Sequence, residues 1–293
     1  MTISHTRAAR ADLRSIVPGL IGAAAFACAD MLGKVIFIAG GDVVTLLSFR
    51  GVVGLVFLAA WVRLGRKPVA FLPRERWIAL GLGLLFAITI YCLFKAIDLM
   101  NVSTAILAYF IYPLITGLLA ALTGLERLGW RGAAAAIVVF FGLALIVGAR
   151  PGDLAFAGVI LSFVAAASRA AMLLITRAWL SHTDARLITW YSMLSSTAVF
   201  VAISLGTWTW TPPTTGGGWV AMAAISVVTV VAILAVFISA NRVGPFRTAL
   251  VMNLEPLLAA VGSAIALGDV ITPVQALGGA IMLAALVAFQ LRR

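Results

Sequence analysis

An apolar run broken at its middle by proline occurs twice in this chain. Residues 104–127, TAILAYFIYPLITGLLAALTGLER, reappear in degraded form at 247–270, and laying Pro113 on Pro256 without gaps also puts Tyr112 on Glu255, Leu114 on Leu257 and Glu126 on Asp269. Each run holds about twenty apolar residues, enough to cross a bilayer core as an α-helix rising about 1.5 Å per residue. Inside such a helix proline withholds a backbone donor and presses on the carbonyl four residues back. In lipid the freed carbonyl has no water to turn to, so a neighbouring helix or a wet cavity must receive it. Both breaks are therefore expected to face protein or water.

Ten spans of this kind can be laid along the chain, at 15–38, 44–64, 77–96, 102–123, 130–148, 155–179, 187–206, 219–240, 246–267 and 272–291. Only 11% of the 293 residues are charged and 63% are hydrophobic, whereas about a quarter of a soluble domain is charged. The expected fold class is an all-α polytopic membrane protein. Residues 1–14 read as a polar tail; Ala27-Cys28-Ala29 imitates a signal cleavage site, but the apolar run is too long for a signal core, so the first helix is expected to stay.

The net charge of +11 does not point to nucleic acid, because the basic residues lie at span ends rather than in a patch interleaved with aromatics. Alternating spans put Arg7, Arg10, Arg14, Arg63, Arg66, Lys67, Arg74, Arg76, Arg127, Arg131, Arg177, Arg186, Arg242, Arg247, Arg292 and Arg293 on the side of the N-terminus. Lys34, Arg50, Lys95, Arg150 and Arg169 are left for the other side or the interior. That bias places both termini in the cytoplasm. The loop after the seventh span has no basic residue and carries Trp208, Trp210 and Trp219 at interface depth, as an outward loop should.

Five spans per unit is an odd number, so residues 150–293 must enter the membrane from the face opposite to residues 15–149. Inverted halves of this kind hold substrate near the midplane where they meet, and broken helices point to the site. Four-residue spacings of small residues, Gly117 with Ala121, Ala120 with Gly124, Ala259 with Ser263 and Gly262 with Ala266, mark the fourth and ninth spans as close-packed. Cys28 and Cys92 both lie inside spans, so neither a disulfide framework nor a metal site is expected, and no cofactor. An enzyme is disfavoured: the histidines are His5 in the tail and His182 in a loop, and no nucleophile elbow or zinc-helix motif occurs. A channel would repeat a filter or charged ring by oligomerising, whereas the symmetry here lies within one chain.

Two five-helix units, Phe49-Arg50 early in the second span, the alanine and proline pattern of 105–113, Glu126 closing that hairpin, and Glu255-Pro256 with Asp269 resemble the drug/metabolite transporter superfamily, EamA type. Within it, Ala108-Tyr109-Phe110-Ile111-Tyr112-Pro113 is most similar to bacterial aromatic amino acid exporters. The resemblance implies a monomer-sized, basket-like bundle in the bacterial inner membrane. It would export small metabolites, amino acids including aromatic ones foremost, from the cytoplasm by alternating access through a central cavity. Cationic drugs and nucleotide sugars are the alternative cargoes, the latter calling for a cluster of cavity-facing cations of which Arg169 is the one candidate.

An ionisable residue at mid-span costs about 2.5 to 3.5 kcal/mol on insertion scales and normally faces the bundle interior with a partner. Asp30 and Lys34 stand one turn apart and can neutralise each other. Laying Gly19 on Gly158 instead puts Asp30 on Arg169, so those two are candidates to meet each other or the substrate. Glu255, just before Pro256, is either a hydrogen-bonded structural group or a proton carrier and contact for a substrate ammonium. Tyr109 and Tyr112 share a helix face at the Pro113 break, and Tyr91, Phe86 and Trp190 lie at mid-span; together they are candidates for an apolar wall, with Asn101, Ser168 and Asn253 as polar contacts. Lys95 and Asp98 are read as an outer gate or a solvated helix end, and Arg50 as a tie between helices.

Overall fold

The structure, a computed structural model, describes residues 13–64, 72–99, 102–126, 129–148, 155–267 and 271–291. Asn101, Arg150, Asp269 and the N-terminal tail lie outside them, as does the side chain of Asp98. The regular structure is helical: α1 (Leu13–Ile38), α2 (Val43–Leu64), α3 (Pro73–Leu99), α4 (Val102–Tyr109), α5 (Tyr112–Leu122), α6 (Trp130–Val147), α7 (Phe156–Trp179), α8 (Ala185–Thr207), α9 (Gly216–Val243), α10 (Pro245–Met252), α11 (Leu254–Leu267) and α12 (Pro273–Leu291). Eight segments, one of them the α4/α5 pair, are long and apolar enough to cross a membrane. The stretches expected as the ninth and tenth spans are the α10/α11 pair and α12, whose apolar part, Pro273–Phe289, is shorter.

Local chemistry sets the helix ends. Proline opens α3, α10 and α12, where its missing N–H would have had no helical partner in any case. Asp184 caps α8 by accepting from the Arg186 N–H at 2.9 Å, and Thr215 caps α9 by accepting from Gly218 at 3.1 Å.

Both proline-bearing spans break where the missing donors demand it. Tyr109, the last residue of α4, and Met252, the last of α10, stand four residues before Pro113 and Pro256. Their carbonyls are the ones that lose a helical partner. At the second break the Asn253 N–H turns to the Leu250 carbonyl at 3.2 Å instead of reaching back to Ala249. The Ala249 carbonyl then accepts from the Tyr112 hydroxyl and the Asn253 side chain, each at 3.4 Å. A tyrosine at the first break thus closes the second, and both sites are sealed in protein: Tyr112 is 1% exposed and Asn253 2%.

Packing repeats when α1–α6 are shifted onto α7–α12. α1 packs on α9 as α7 packs on α3, α2 on α9 as α8 on α3, and α1 on α10 and α11 as α7 on α4 and α5; α2 meets α8 and α6 meets α12 across the middle. Loop contacts sort the connections into two ends. At one, Ala39 accepts from Thr214 at 2.9 Å and Asp42 from Thr211 at 3.1 Å. At the other, Thr183 donates to Glu75 at 2.7 Å, Asn241 to the Leu180 carbonyl at 3.0 Å, and Arg177 to the Asn241 carbonyl. Glu126, just past α5, rests on Gly244, just before α10. The end of one broken span therefore meets the start of the other, and the two run antiparallel.

Close backbone approach relies on glycines other than those singled out by spacing. A Cβ at Gly83 of α3 would overlap the Ser192 carbonyl and Ser195 Oγ of α8, where Ser195 donates to the Leu80 carbonyl at 2.7 Å. Gly142 and Gly278 abut each other's backbone between α6 and α12, and Gly51 and Gly54 of α2 seat Thr197 and Met193 of α8. Of the expected faces, Gly262 does meet Met31 of α1, but Ala121 and Gly124 are exposed, because α5 ends at Leu122 and Gly124 turns the chain at φ +70°.

Two measurements test this packing. Gly83→Ala should lower the unfolding midpoint in detergent, by the equivalent of about 1–3 kcal/mol for overpacking, whereas Gly81→Ala, with nothing within 4 Å of its added carbon, should leave it level or slightly raised; equal effects would contradict the α3–α8 contact. Burial pushes the Glu126 carboxyl up to about 7 from its ordinary 4.5, with the Phe246 N–H and the Arg177 charge offsetting part of it. A raised carboxyl means the folded state holds the proton more tightly, so this contact loses stability as pH rises between about 4.5 and 7 and gains no further penalty above that. The midpoint should consequently fall more between pH 5 and 7.5 in the native protein than in Glu126→Gln, and parallel pH profiles would refute the assignment.

Candidate functional site

The two helix breaks meet α1, α2 and α7 in a cluster of charges and phenols. Asp30 on α1 is exposed by surface yet densely surrounded by protein, as befits a residue lining a crevice rather than the outer face. The cation acting on it is Arg50 of α2. Glu255, in the first turn of α11, feels the charges of Asp30 and Arg169. An anion at the start of a half-helix is favoured by the backbone dipole.

Arg169 lies midway along α7, 6% exposed, with its guanidinium 5.4 Å from the centre of the Phe26 ring, a cation–π contact. It interacts with Tyr109, Tyr112 and Glu255. Its Nε is buried with no hydrogen-bond partner, as is Asn253 Oδ1. Tyr109 and Tyr112 stack at 5.5 Å between ring centres, with Phe110 at 5.3 Å from Tyr109. These rings fill the first break and face the second.

Next to Arg169 lies a small cavity between α3, α7, α8 and α9. Its polar lining is Arg169, Ser192 and Ser196, and its apolar lining includes Phe86, Met172, Met193 and Phe237. The space open to the centre of a water-sized sphere is about 20 Å³, room for about one water molecule. A cavity of this size is smaller than an amino acid.

The expected site residues divide accordingly. Tyr109, Tyr112, Arg169, Asn253, Glu255, Asp30 and Arg50 come together, with Pro113 and Pro256 setting the breaks, and Phe86 lines the cavity. Ser168 is buried beside Arg169 in the chain. In place of the expected Asp30–Arg169 meeting, the Arg50 charge acts on Asp30, and Asp30 and Arg169 both act on Glu255. Tyr91 does not belong to the site: it is 58% exposed on the outer stripe of α3 with Leu84 and Ile88. Trp190 packs half-buried against the apolar cluster around the cavity without lining it. Lys95 is exposed near the end of α3, and its expected partner Asp98 has no described side chain. Ser192 and Ser196 are not among the expected residues; they stand one turn apart in a span that also carries Thr189, Ser195, Thr197 and Ser204, so no pattern singles them out. Among the described residues, no group of three or more metal-ligating side chains occurs.

No curated protein matches the sequence. A solved structure described only as the crystal structure of a protein shares the fold, with a TM-score of 0.77 at 17% identity over 94% of this chain and 95% of that one. The EamA-like transporter family matches twice, at residues 13–148 and again at 156–289. With nearly its whole length matched, the chain belongs to the EamA-like transporter family and is a multi-pass membrane transporter of small molecules.

Proposed function

We propose that this transporter exports amino acids, aromatic ones included, from the bacterial cytoplasm by alternating access, as a monomer in the inner membrane. Ten spans form two inverted halves, residues 15–149 and 150–293, with both termini cytoplasmic and the substrate chamber between them. The observation that carries the reading is the cluster at the two breaks, where Asp30, Glu255, Arg50 and Arg169 stand beside Tyr109, Tyr112 and an apolar cavity. An aromatic zwitterion needs such a surface: opposite charges close together and an apolar wall for the ring.

Several features support inverted halves: the successive family matches, the paired helix packing and the antiparallel broken spans. Unequal closure of the halves supports alternating access. α7 packs on α9 and α10, and among the described residues α1 makes no comparable contact with α3 and α4. In keeping with this, Arg169 is buried while Asp30, its counterpart when Gly19 is laid on Gly158, stands in an open crevice. Exchanging the conformations of the halves would bury Asp30 and open the Arg169 side.

Reconstituted into liposomes, the protein should take up labelled phenylalanine saturably, with methionine and threonine as weaker cargo. Uptake of a nucleotide sugar or a cationic drug without any amino acid signal would overturn the choice of cargo. Glu255→Gln should abolish any stimulation of uptake by a pH gradient while leaving the unfolding midpoint in place, and an unchanged pH response would remove Glu255 from the cycle. Phe86→Ala, which trims the cavity wall, should reduce phenylalanine uptake by about tenfold, the scale of losing one buried aromatic contact; unaltered uptake would put the wall elsewhere.

A further inference from the structure

The charged cluster and the cavity share one residue, Arg169, and its bonding is incomplete. Its Nε is buried without a partner, and the guanidinium lines a space whose other polar groups are Ser192 and Ser196. Both serines are buried, at 4% and 6% exposure. Their hydroxyls donate to carbonyls three residues back in their own helix, Ser192 to Thr189 at 3.1 Å and Ser196 to Met193 at 3.2 Å. Such bonds hold a hydroxyl that has nothing better to reach; a carbonyl inside a helix is already served by a backbone N–H, so turning the hydroxyl away orphans nothing. Three donors thus converge on one small space, and among its lining residues none carries negative charge.

We propose that Arg169, Ser192 and Ser196 form a carboxylate subsite, making the cargo class α-amino acids with an apolar side chain rather than amines or neutral solutes. The proposal rests on the exporter reading above and names the chemistry of its site. Arg169 and Glu255 feel each other's charge, with Tyr109 and Tyr112 also acting on Arg169 and Asp30 on Glu255. A bare carboxylate would satisfy Arg169 and strand Glu255; a bare amine would do the reverse. A zwitterion inserted between them satisfies both without changing the net charge of the chamber, and burying an unpaired charge is what a membrane interior opposes most. The side chain then lies against Phe86, Phe237, Met172 and Met193. Methionines, unbranched and adaptable, suit a wall that must move apart from a volume near one water molecule to admit a ring.

The test uses the purified full-length protein and the rise of its unfolding midpoint with ligand, converted to affinity. Four compounds are compared: phenylalanine, phenylalaninamide, phenethylamine and 3-phenylpropionate. Phenylalanine should bind at least about tenfold tighter than the amide and the amine, the scale of a charge-assisted hydrogen bond. Replacing both serines, Ser192→Ala with Ser196→Ala, should weaken phenylalanine by about tenfold and leave phenethylamine unchanged. Because the replaced hydroxyls bond only within their own helix, the variant should keep its unliganded midpoint. The subsite is overturned if the amide and the amine match phenylalanine, or if the double variant binds phenylalanine as the native protein does. If the native protein ignores phenylalanine but binds 3-phenylpropionate in a serine-dependent way, the subsite stands and the amino acid reading falls. If it binds neither, both fall.

Discussion

The Ala249 carbonyl, released at one helix break and taken up by the Tyr112 hydroxyl from the other, is the contact on which the centre of this molecule depends. A carbonyl without a donor in the hydrocarbon interior loses several kcal/mol, so a proline in a span is tolerable only where some other group reaches in. Here the first broken span serves as part of the second's environment. That requirement fixes more than one bond: it brings the breaks face to face, and with them Tyr109, Tyr112, Asn253 and Glu255. The site is a by-product of repairing the backbone.

Around that centre, helices associate without a hydrophobic driving force, since lipid is as apolar as they are. Shape and small polar bonds do the holding instead. Gly83 lets α3 lie against α8 so closely that Ser195 reaches the Leu80 carbonyl. Gly142 and Gly278 do the same for α6 and α12. The loops then pin the ends, Asp42 to Thr211 at one and Glu75 to Thr183 at the other. A bundle locked by steric fit and end contacts has few intermediate arrangements, which suits the alternating access proposed above.

Much of this was legible before any coordinates. Length and hydropathy placed eight spans, and the two prolines marked both broken runs, whose interruptions fall just before them, between Tyr109 and Tyr112 and between Met252 and Leu254. Partners were less legible, for a definite reason. Four-residue spacing says that a helix has a smooth face but not which helix will use it, so Gly83 and Gly142 passed unnoticed while exposed Gly124 did not. Repeat alignment relates equivalent positions, and equivalent positions touch only near the symmetry axis; Asp30 and Arg169 are equivalent, yet each finds its countercharge elsewhere. Tyr91 was misplaced because α3 is apolar all round, leaving no amphipathic pattern to tell an outer stripe from an inner one.

The pairing that did emerge has its own logic. Each half brings one cation and one anion, Asp30 with Arg50 from the first and Arg169 with Glu255 from the second. The two pairs differ in what surrounds them. Asp30 is exposed by surface within its crevice and Arg50 is half-buried; Arg169 is enclosed, where every unsatisfied donor weighs more. On the proposed exporter reading, a cargo that completes the bonding of Arg169 would lower the energy of the enclosed state most, so that binding on one side would be felt as closure on the other.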